Sequence, residues 1–301
     1  MKKYIIGLLT IVSYALFIGF FFTNKIMYIR KKTDKEIIDL ETNDGHFKIE
    51  DFEALEKEEI CIPSTFGYNI KGSIIAPHHT NRYIIICHGV TVNKFNSIKY
   101  MNLFLEKGWN VLIYDHRRHG TSGGKTTSYG YYEKFDLQSI VHFLKKRVGK
   151  NIILGIHGES MGAATTLLYA GSVEDGADFY IVDCPFSDLE SLLRYRLKME
   201  FRIPGFLVMP FAKPFITLRD RYSLKDVSPI TVIEKIKNPV LFIHSKQDDY
   251  ILPEMSKQLY DKKPGFKKIY LAEKGSHAMS FTENKEEYNK AIDHFLTEIS
   301  L

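Results

Sequence analysis

Residues 152–170 restrict this chain more than any other stretch: Ile-Ile-Leu-Gly-Ile-His-Gly-Glu-Ser-Met-Gly-Ala-Ala-Thr-Thr-Leu-Leu-Tyr-Ala. The opening run is apolar and rich in Ile, the pattern of a strand buried on both faces. The closing run reads as a helix. Between them Gly-Glu-Ser-Met-Gly must reverse the chain so tightly that the residues two before and two after the serine, Gly158 and Gly162, have to be small. Such a strand–turn–helix elbow holds the Ser160 hydroxyl above the sheet edge, at a helix N-terminus. Ser160 is therefore the candidate nucleophile. The plainer alternative is a Gly-rich helix entry with an incidental serine.

The flanking sequence supplies the sheet that an elbow needs. Residues 59–63 and 70–76 form a strand pair across the turn residues Phe66-Gly67-Tyr68-Asn69. Further strands are expected at 83–87, 111–115, 179–183, 239–244 and 268–271, with helices at 95–107, 132–147 and 283–299 between or after them. This alternation predicts an α/β fold: a mostly parallel sheet with helices on both faces. Residues 187–238 break the alternation with helical periodicity, aromatic residues and prolines at Pro204, Pro210 and Pro214. A structureless loop of that length is unfavourable, so an inserted helical cap over the strand ends is expected.

An elbow serine is inert without a base, because its hydroxyl is hardly ionised at neutral pH. The base in turn needs a carboxylate to fix its tautomer. In elbow enzymes the chain order is Ser, acid, His. Downstream of Ser160 stand only His244, His277 and His294. His277 lies in a loop between the last strand and the last helix, and is the expected base. His294 falls inside the final helix and His244 ends a strand. Asp248 and Asp249 follow the strand at 239–244 and Asp183 follows the one before it; Asp248 is the expected acid, Asp249 a solvated neighbour and Asp183 a turn former. The oxyanion requires donors from the residue after the nucleophile, Met161, and from an early loop, where Val90 is expected and Thr91 is the fallback. His88 precedes the serine and is read as a brace for its loop; His157, beside the elbow, is likewise not read as the base.

Taken with His88-Gly89 and with Asp115-His116-Arg117-Arg118-His119-Gly120-Thr121-Ser122-Gly123, the elbow and the His277 loop resemble the α/β-hydrolase fold family. Within it the chain is similar to the serine aminopeptidase, monoglyceride lipase and carboxylesterase-like branch, which includes membrane-anchored bacterial members. The resemblance spans residues 58–300. The family's acid loop commonly reads His-Gly-x-x-Asp-x-x-Val-Pro. Here His244-Ser245-Lys246-Gln247-Asp248-Asp249-Tyr250-Ile251-Leu252-Pro253 keeps the His-to-Asp spacing, with Ser for Gly and the proline one place late. The resemblance gives Arg117 and His119 structural roles only. It implies acyl transfer through an acyl-enzyme on Ser160, on a lipid-like or small carboxylic ester. The runner-up is an aminopeptidase or amidase, whose amine-binding carboxylates would have to come from Glu190 and Glu200. A ligand-binding module without turnover is the rival from another class.

The N-terminus stands apart. Tyr4–Phe22 is uncharged and mostly apolar, behind Lys2-Lys3 and ahead of Lys25, Arg30, Lys31 and Lys32. At about 1.5 Å per residue such a helix matches the hydrocarbon core of a bilayer. Residues 1–24 are therefore expected to be a membrane anchor, 25–57 a charged linker with a juxtamembrane helix, and 58–301 the catalytic domain. A signal peptide is the rival, but Phe20-Phe21-Phe22 makes a poor cleavage site. The basic excess after the span favours a cytoplasmic domain, whereas many signal anchors place that domain outside, and both orientations stay open. The net charge of +5 is scattered, so no nucleic-acid stripe is expected. Cys61, Cys87 and Cys184 are far apart and odd in number, which suggests neither a disulfide framework nor a zinc site. No cofactor or metal is expected, and oligomeric state is not encoded in any motif.

Overall fold

A computed structural model describes residues 1–301. Three helices come first: α1 (Lys2–Met27), α2 (Asp34–Asn43) and α3 (Ile49–Ala54). The remaining chain runs β1 (Glu58–Pro63), β2 (Asn69–Ile75), β3 (Arg82–Cys87), α4 (Ile98–Glu106), β4 (Asn110–Tyr114), α5 (Glu133–Val148), β5 (Ile153–Glu159), α6 (Met161–Ser172) and β6 (Phe179–Asp183). Then follow α7 (Leu189–Phe201), α8 (Gly205–Asp220), β7 (Val240–Ser245), α9 (Pro253–Lys262), β8 (Lys267–Ala272), α10 (Ser280–Glu283) and α11 (Lys285–Glu298). One eight-stranded sheet has the order β1-β2-β4-β3-β5-β6-β7-β8. Strand β1 pairs antiparallel with β2, and β2 antiparallel with β4; β3 to β8 are all parallel to one another.

The strand cores are apolar because both faces are covered. Leu154 and Ile156 of β5 point to the side packed by α5, α6 and α9. On the other side α4 and α11 cover Ile84, Ile86, Ile181 and Ile243. Gly155 faces that second side, where any Cβ would strike the Phe179 ring. These fully buried aliphatics each contribute about 1.5–3 kcal/mol relative to exposure.

The expected cap is present as α7 and α8, followed by short 3₁₀ turns at Leu224–Asp226, Pro229–Thr231 and Ile233–Lys235. Pro204 caps α8 as a break, but Pro210 and Pro214 lie inside α8 rather than breaking it. Both prolines are solvent-exposed, so the two carbonyls that lose their intrahelical donors can be hydrated, while Val208, Met209, Ala212 and Ile216 bury the opposite face. Packing outweighs the local cost.

Residues 25–57 are more ordered than a linker. Helix α2 begins in a reciprocal capping box, with Thr33 accepting from the Glu36 N–H and Glu36 accepting from the Thr33 N–H. Helix α9, which begins at Pro253, was not anticipated from the apolar pattern, although a proline in the first turn is a start signal. Helix α1 is long and apolar enough to cross a membrane, with a mean hydropathy of 2.4 in its best window. Its first two turns are exposed, whereas Ile18, Phe22 and Thr23 are buried against the cap.

Candidate active site

Strand β5 delivers Ser160 to the sheet edge with φ 55° and ψ −115°, a conformation that a residue with a side chain rarely adopts. Two contacts hold it there. The Ser160 N–H donates to the Asp183 carbonyl at 2.8 Å, tying the elbow to the end of β6. Gly158 and Gly162 touch across the turn: a Cβ on Gly158 would lie 2.5 Å from the Gly162 carbonyl oxygen, and one on Gly162 would strike the Cys87 carbonyl. Both glycines are thus required by close approach rather than by flexibility.

The structure brings Ser160, His277 and Asp248 into one line. Ser160 Oγ lies 2.8 Å from His277 Nε2, and His277 Nδ1 lies 2.7 Å from Asp248 Oδ2. With the ring proton on Nδ1 donated to the carboxylate, Nε2 is left to accept the serine O–H. Ser160 and Asp248 are buried, and the His277 side chain is 20% exposed. The loop carrying His277 is clamped: Ser245 Oγ donates to the Gly275 carbonyl, and Asn284 Nδ2 donates to the Lys274 carbonyl at 2.9 Å.

Asp248 is held as an anion. Burial works against its charge, but hydrogen bonds from His244 and His277 outweigh it, holding the carboxyl well below the usual carboxylate range. The other oxygen accepts the N–H groups of Tyr250 and Ile251, each at 2.9 Å. His244 Nε2 is 3.1 Å from Asp248 Oδ2 and 2.8 Å from the Ile251 carbonyl, and Nδ1 is 2.6 Å from Ser256 Oγ. His244 is therefore a brace for the acid, a role that its position at a strand end does not reveal. Asp249 is exposed and meets Tyr195 and Arg196 only through its carbonyl. Asp183, expected as a turn former, instead ends β6 fully buried; burial first, and then Glu159, raises its carboxyl to about 8. His294 is exposed beside Glu298.

Val90, Ser160 and Met161 line the same cavity. Gly89 lets the Val90 loop approach, since a Cβ there would sit 3.2 Å from Glu159 Oε1. His88 braces that loop: Nδ1 lies 2.7 Å from the Gly89 carbonyl, and Nε2 accepts the His116 N–H at 2.9 Å. His157 is buried, with Nε2 2.8 Å from the Tyr288 hydroxyl; burial lowers its pKa to about 3, so it stays neutral. Asp115 accepts the N–H groups of Lys94 and Thr121, while Arg117 stacks 4.1 Å over Tyr132 and the His119 Nδ1 lies 2.9 Å from the Arg117 carbonyl. These residues shape the loops and stay away from Ser160. The Cys184 thiol lies within 4.8 Å of the Asp248 and His277 donor atoms, but burial raises it well above the usual thiol range, leaving a neutral neighbour rather than a metal-ready thiolate.

Ser160 stands between two cavities of opposite character. One, about 140 Å³, is almost wholly apolar and lies under the cap. The other, about 390 Å³, is polar and includes Lys32, Asp44, Glu41, Lys99 and Glu159. Beneath it, Lys99 Nζ sits 3.4 Å from Glu41 and 3.3 Å from Glu159, with all three side chains at most 8% exposed. No local pattern announces this buried network, because its members lie on α2, α4 and β5.

Comparison with known proteins agrees with this architecture. Residues 78–210 match the serine aminopeptidase S33 family. The uncharacterized protein YqkD of Bacillus subtilis is 54% identical over 297 residues, covering 98% of this chain and 97% of its own. Human protein ABHD12B is 26% identical over 66% of this chain and 56% of its own length. Among solved structures, the Pyrococcus furiosus esterase Pf2001 superposes with a TM-score of 0.67 at 23% identity, over 84% of this chain and 95% of its own. DcsB, in complex with a substrate analogue, gives 0.63 at 19% identity, over 81% and 99%. A mostly parallel sheet, an elbow after β5 and this kinship lead to one conclusion: the chain belongs to the α/β-hydrolase family, in its S33 serine aminopeptidase-like branch.

Proposed function

We propose that this α/β hydrolase is a serine esterase, cleaving carboxylic esters with an apolar acyl group through an acyl-enzyme on Ser160. The reading is carried by one observation: a serine oxygen 2.8 Å from an imidazole that is itself 2.7 Å from a buried carboxylate, at the foot of an apolar cavity. In this mechanism Ser160 Oγ attacks the carbonyl carbon as His277 Nε2 takes the hydroxyl proton. The oxyanion accepts the Val90 and Met161 N–H groups. Collapse expels the alcohol, which takes the proton from His277. Water then attacks the acyl-enzyme with His277 as base, releasing the acid and restoring Ser160. Asp248 keeps the Nδ1 proton in place and stabilises the imidazolium.

An aminopeptidase needs a free carboxylate to bind the substrate amine. Both cap candidates are already neutralised: Glu190 by Arg194 and Lys213, each at 2.7 Å, and Glu200 by Arg196 at 2.7 Å. That favours an ester. The same reading makes α1 a membrane anchor, consistent with its length, apolar composition and exposed first turns. The test is a serine-directed fluorophosphonate with p-nitrophenyl esters and aminoacyl anilides as substrates. Wild type should be labelled and should hydrolyse esters, and Ser160→Ala should do neither. Equal labelling of the two proteins refutes the nucleophile, and turnover of anilides alone refutes the esterase.

A further inference from the structure

The lower part of α1 is seated in the hydrolase rather than merely tethered to it. Gly19 lies against the Phe215 ring so closely that any Cβ would overlap it. Tyr14 meets Phe211 edge-on at 5.4 Å and donates its O–H to the Leu207 carbonyl at 3.3 Å. Arg219 of α8 reaches back to Thr23 and donates to Asn24 Oδ1 at 2.6 Å. Past the helix the attachment continues: the Met27 carbonyl accepts the Thr127 N–H at 3.0 Å, and the Ile29 carbonyl accepts Arg118 at 2.9 Å. Finally the Lys32 N–H donates at 2.8 Å to the carbonyl of Thr91, the residue after Val90.

This seating places Phe22, Ile26 and Ile29 in the wall of the apolar cavity that also contains Ser160, together with Leu192 and Val208 of the cap. Phe22 is 7% exposed and meets Phe201 edge-on at 5.5 Å. We propose that the end of the N-terminal helix and the residues just past it form a wall of the acyl pocket, and that Phe22 and Ile26 of α1 with Ile29 beyond it determine which acyl chains reach Ser160. The proposal rests on the esterase reading for the identity of the occupant as an acyl group. The cavity of about 140 Å³ is close to the ~150 Å³ apolar void that takes a benzene-sized guest, so it accommodates about six acyl carbons. Residues 1–29 then do two things at once. They hold the enzyme at the bilayer, and they select the chain length of what it cleaves.

The test uses the full-length protein in lipid nanodiscs, with p-nitrophenyl acetate, hexanoate and dodecanoate, and with alkyl fluorophosphonates of matching lengths. Each methylene excluded from an apolar site costs about fourfold in affinity. Ile26→Trp, which displaces two or three methylenes, should lower kcat/KM for hexanoate on the order of 20-fold while changing acetate by less than about threefold. Ile29→Trp is the second filling variant should the first fail to fold. Phe22→Ala should shift the preference towards dodecanoate. Leu9→Trp, on the exposed half of α1, should match wild type throughout. Equal effects on all chain lengths, or none in any filling variant, overturn the proposal. A protein labelled by fluorophosphonates but inactive on every ester refutes the esterase reading alone, since labelling rates against alkyl length still decide the pocket. A protein labelled by none of them refutes both.

Discussion

Replacing Lys99 with Met removes one cation from between two buried carboxylates. Lys99 is 4% exposed and bridges Glu41 of α2 and Glu159 of β5 at 3.4 and 3.3 Å. Burial alone would push its pKa down, but the charges of Glu159 and Glu41 push it up further, so Lys99 is held charged. Glu41 keeps hydrogen bonds from Asn96 at 2.6 Å and from His46 at 2.5 Å, and Glu159 keeps one from the Tyr100 hydroxyl at 2.7 Å. Neither set replaces a full positive charge. Breaking a buried pair by removing one partner costs about 3–5 kcal/mol, because the other charge stays behind. For a chain of 301 residues that corresponds to a Tm lower by about 5–8 °C. Thermal and denaturant unfolding of Lys99→Met, Glu41→Gln and the double variant form a cycle. Glu41→Gln should cost less in the Lys99→Met background, with a coupling of about 1–3 kcal/mol. A Lys99→Met protein within about 1 kcal/mol of wild type, or a coupling of zero, refutes the reasoning. Glu159 adjoins Ser160 and lies under Gly89, so Lys99 links α2 to the elbow.

Two further outcomes follow from the acid loop and the end of β6. Asp248→Asn should lower kcat by about 10⁴-fold with little change in KM, because the ring proton can then move to Nε2, whereas Asp249→Asn should stay within threefold of wild type; ester kinetics check both, and a loss under tenfold for Asp248→Asn removes it from the relay. Asp183, with its carboxyl raised to about 8, keeps its proton in the folded chain where the unfolded chain has lost it. Its contribution to stability is therefore greatest below about pH 4 and is lost as pH rises towards 8, at about 1.4 kcal/mol per unit. Asp183→Asn should flatten the stability–pH curve between pH 5 and 7.5, and an unchanged slope refutes the assignment.

Much of the site was legible before any coordinates because its markers are local. Gly158 and Gly162 are demanded by a turn within five residues, and the order Ser160, Asp248, His277 left few candidates at strand ends. The spacing from His244 to Asp248 was visible too, but that His244 touches the carboxylate was not. Pro210 and Pro214 read as breaks because local propensity disfavours them, and packing of the buried face of α8 overrode that signal. The Thr33–Glu36 capping box and Pro253 were readable start signals that the apolar pattern overshadowed.

By itself, then, the order of residues determined the sheet, the elbow, the apolar N-terminal helix and the three side chains proposed to act together, since period, turn sterics and chain order are properties of neighbours. Only the tertiary structure decided that Glu41, Lys99 and Glu159 share one buried site, and that Phe22, Ile26 and Ile29 face the cavity above Ser160. Those groups are separated by tens of residues or more. What brings them together is the burial of apolar faces across the whole chain, which no short window of sequence records.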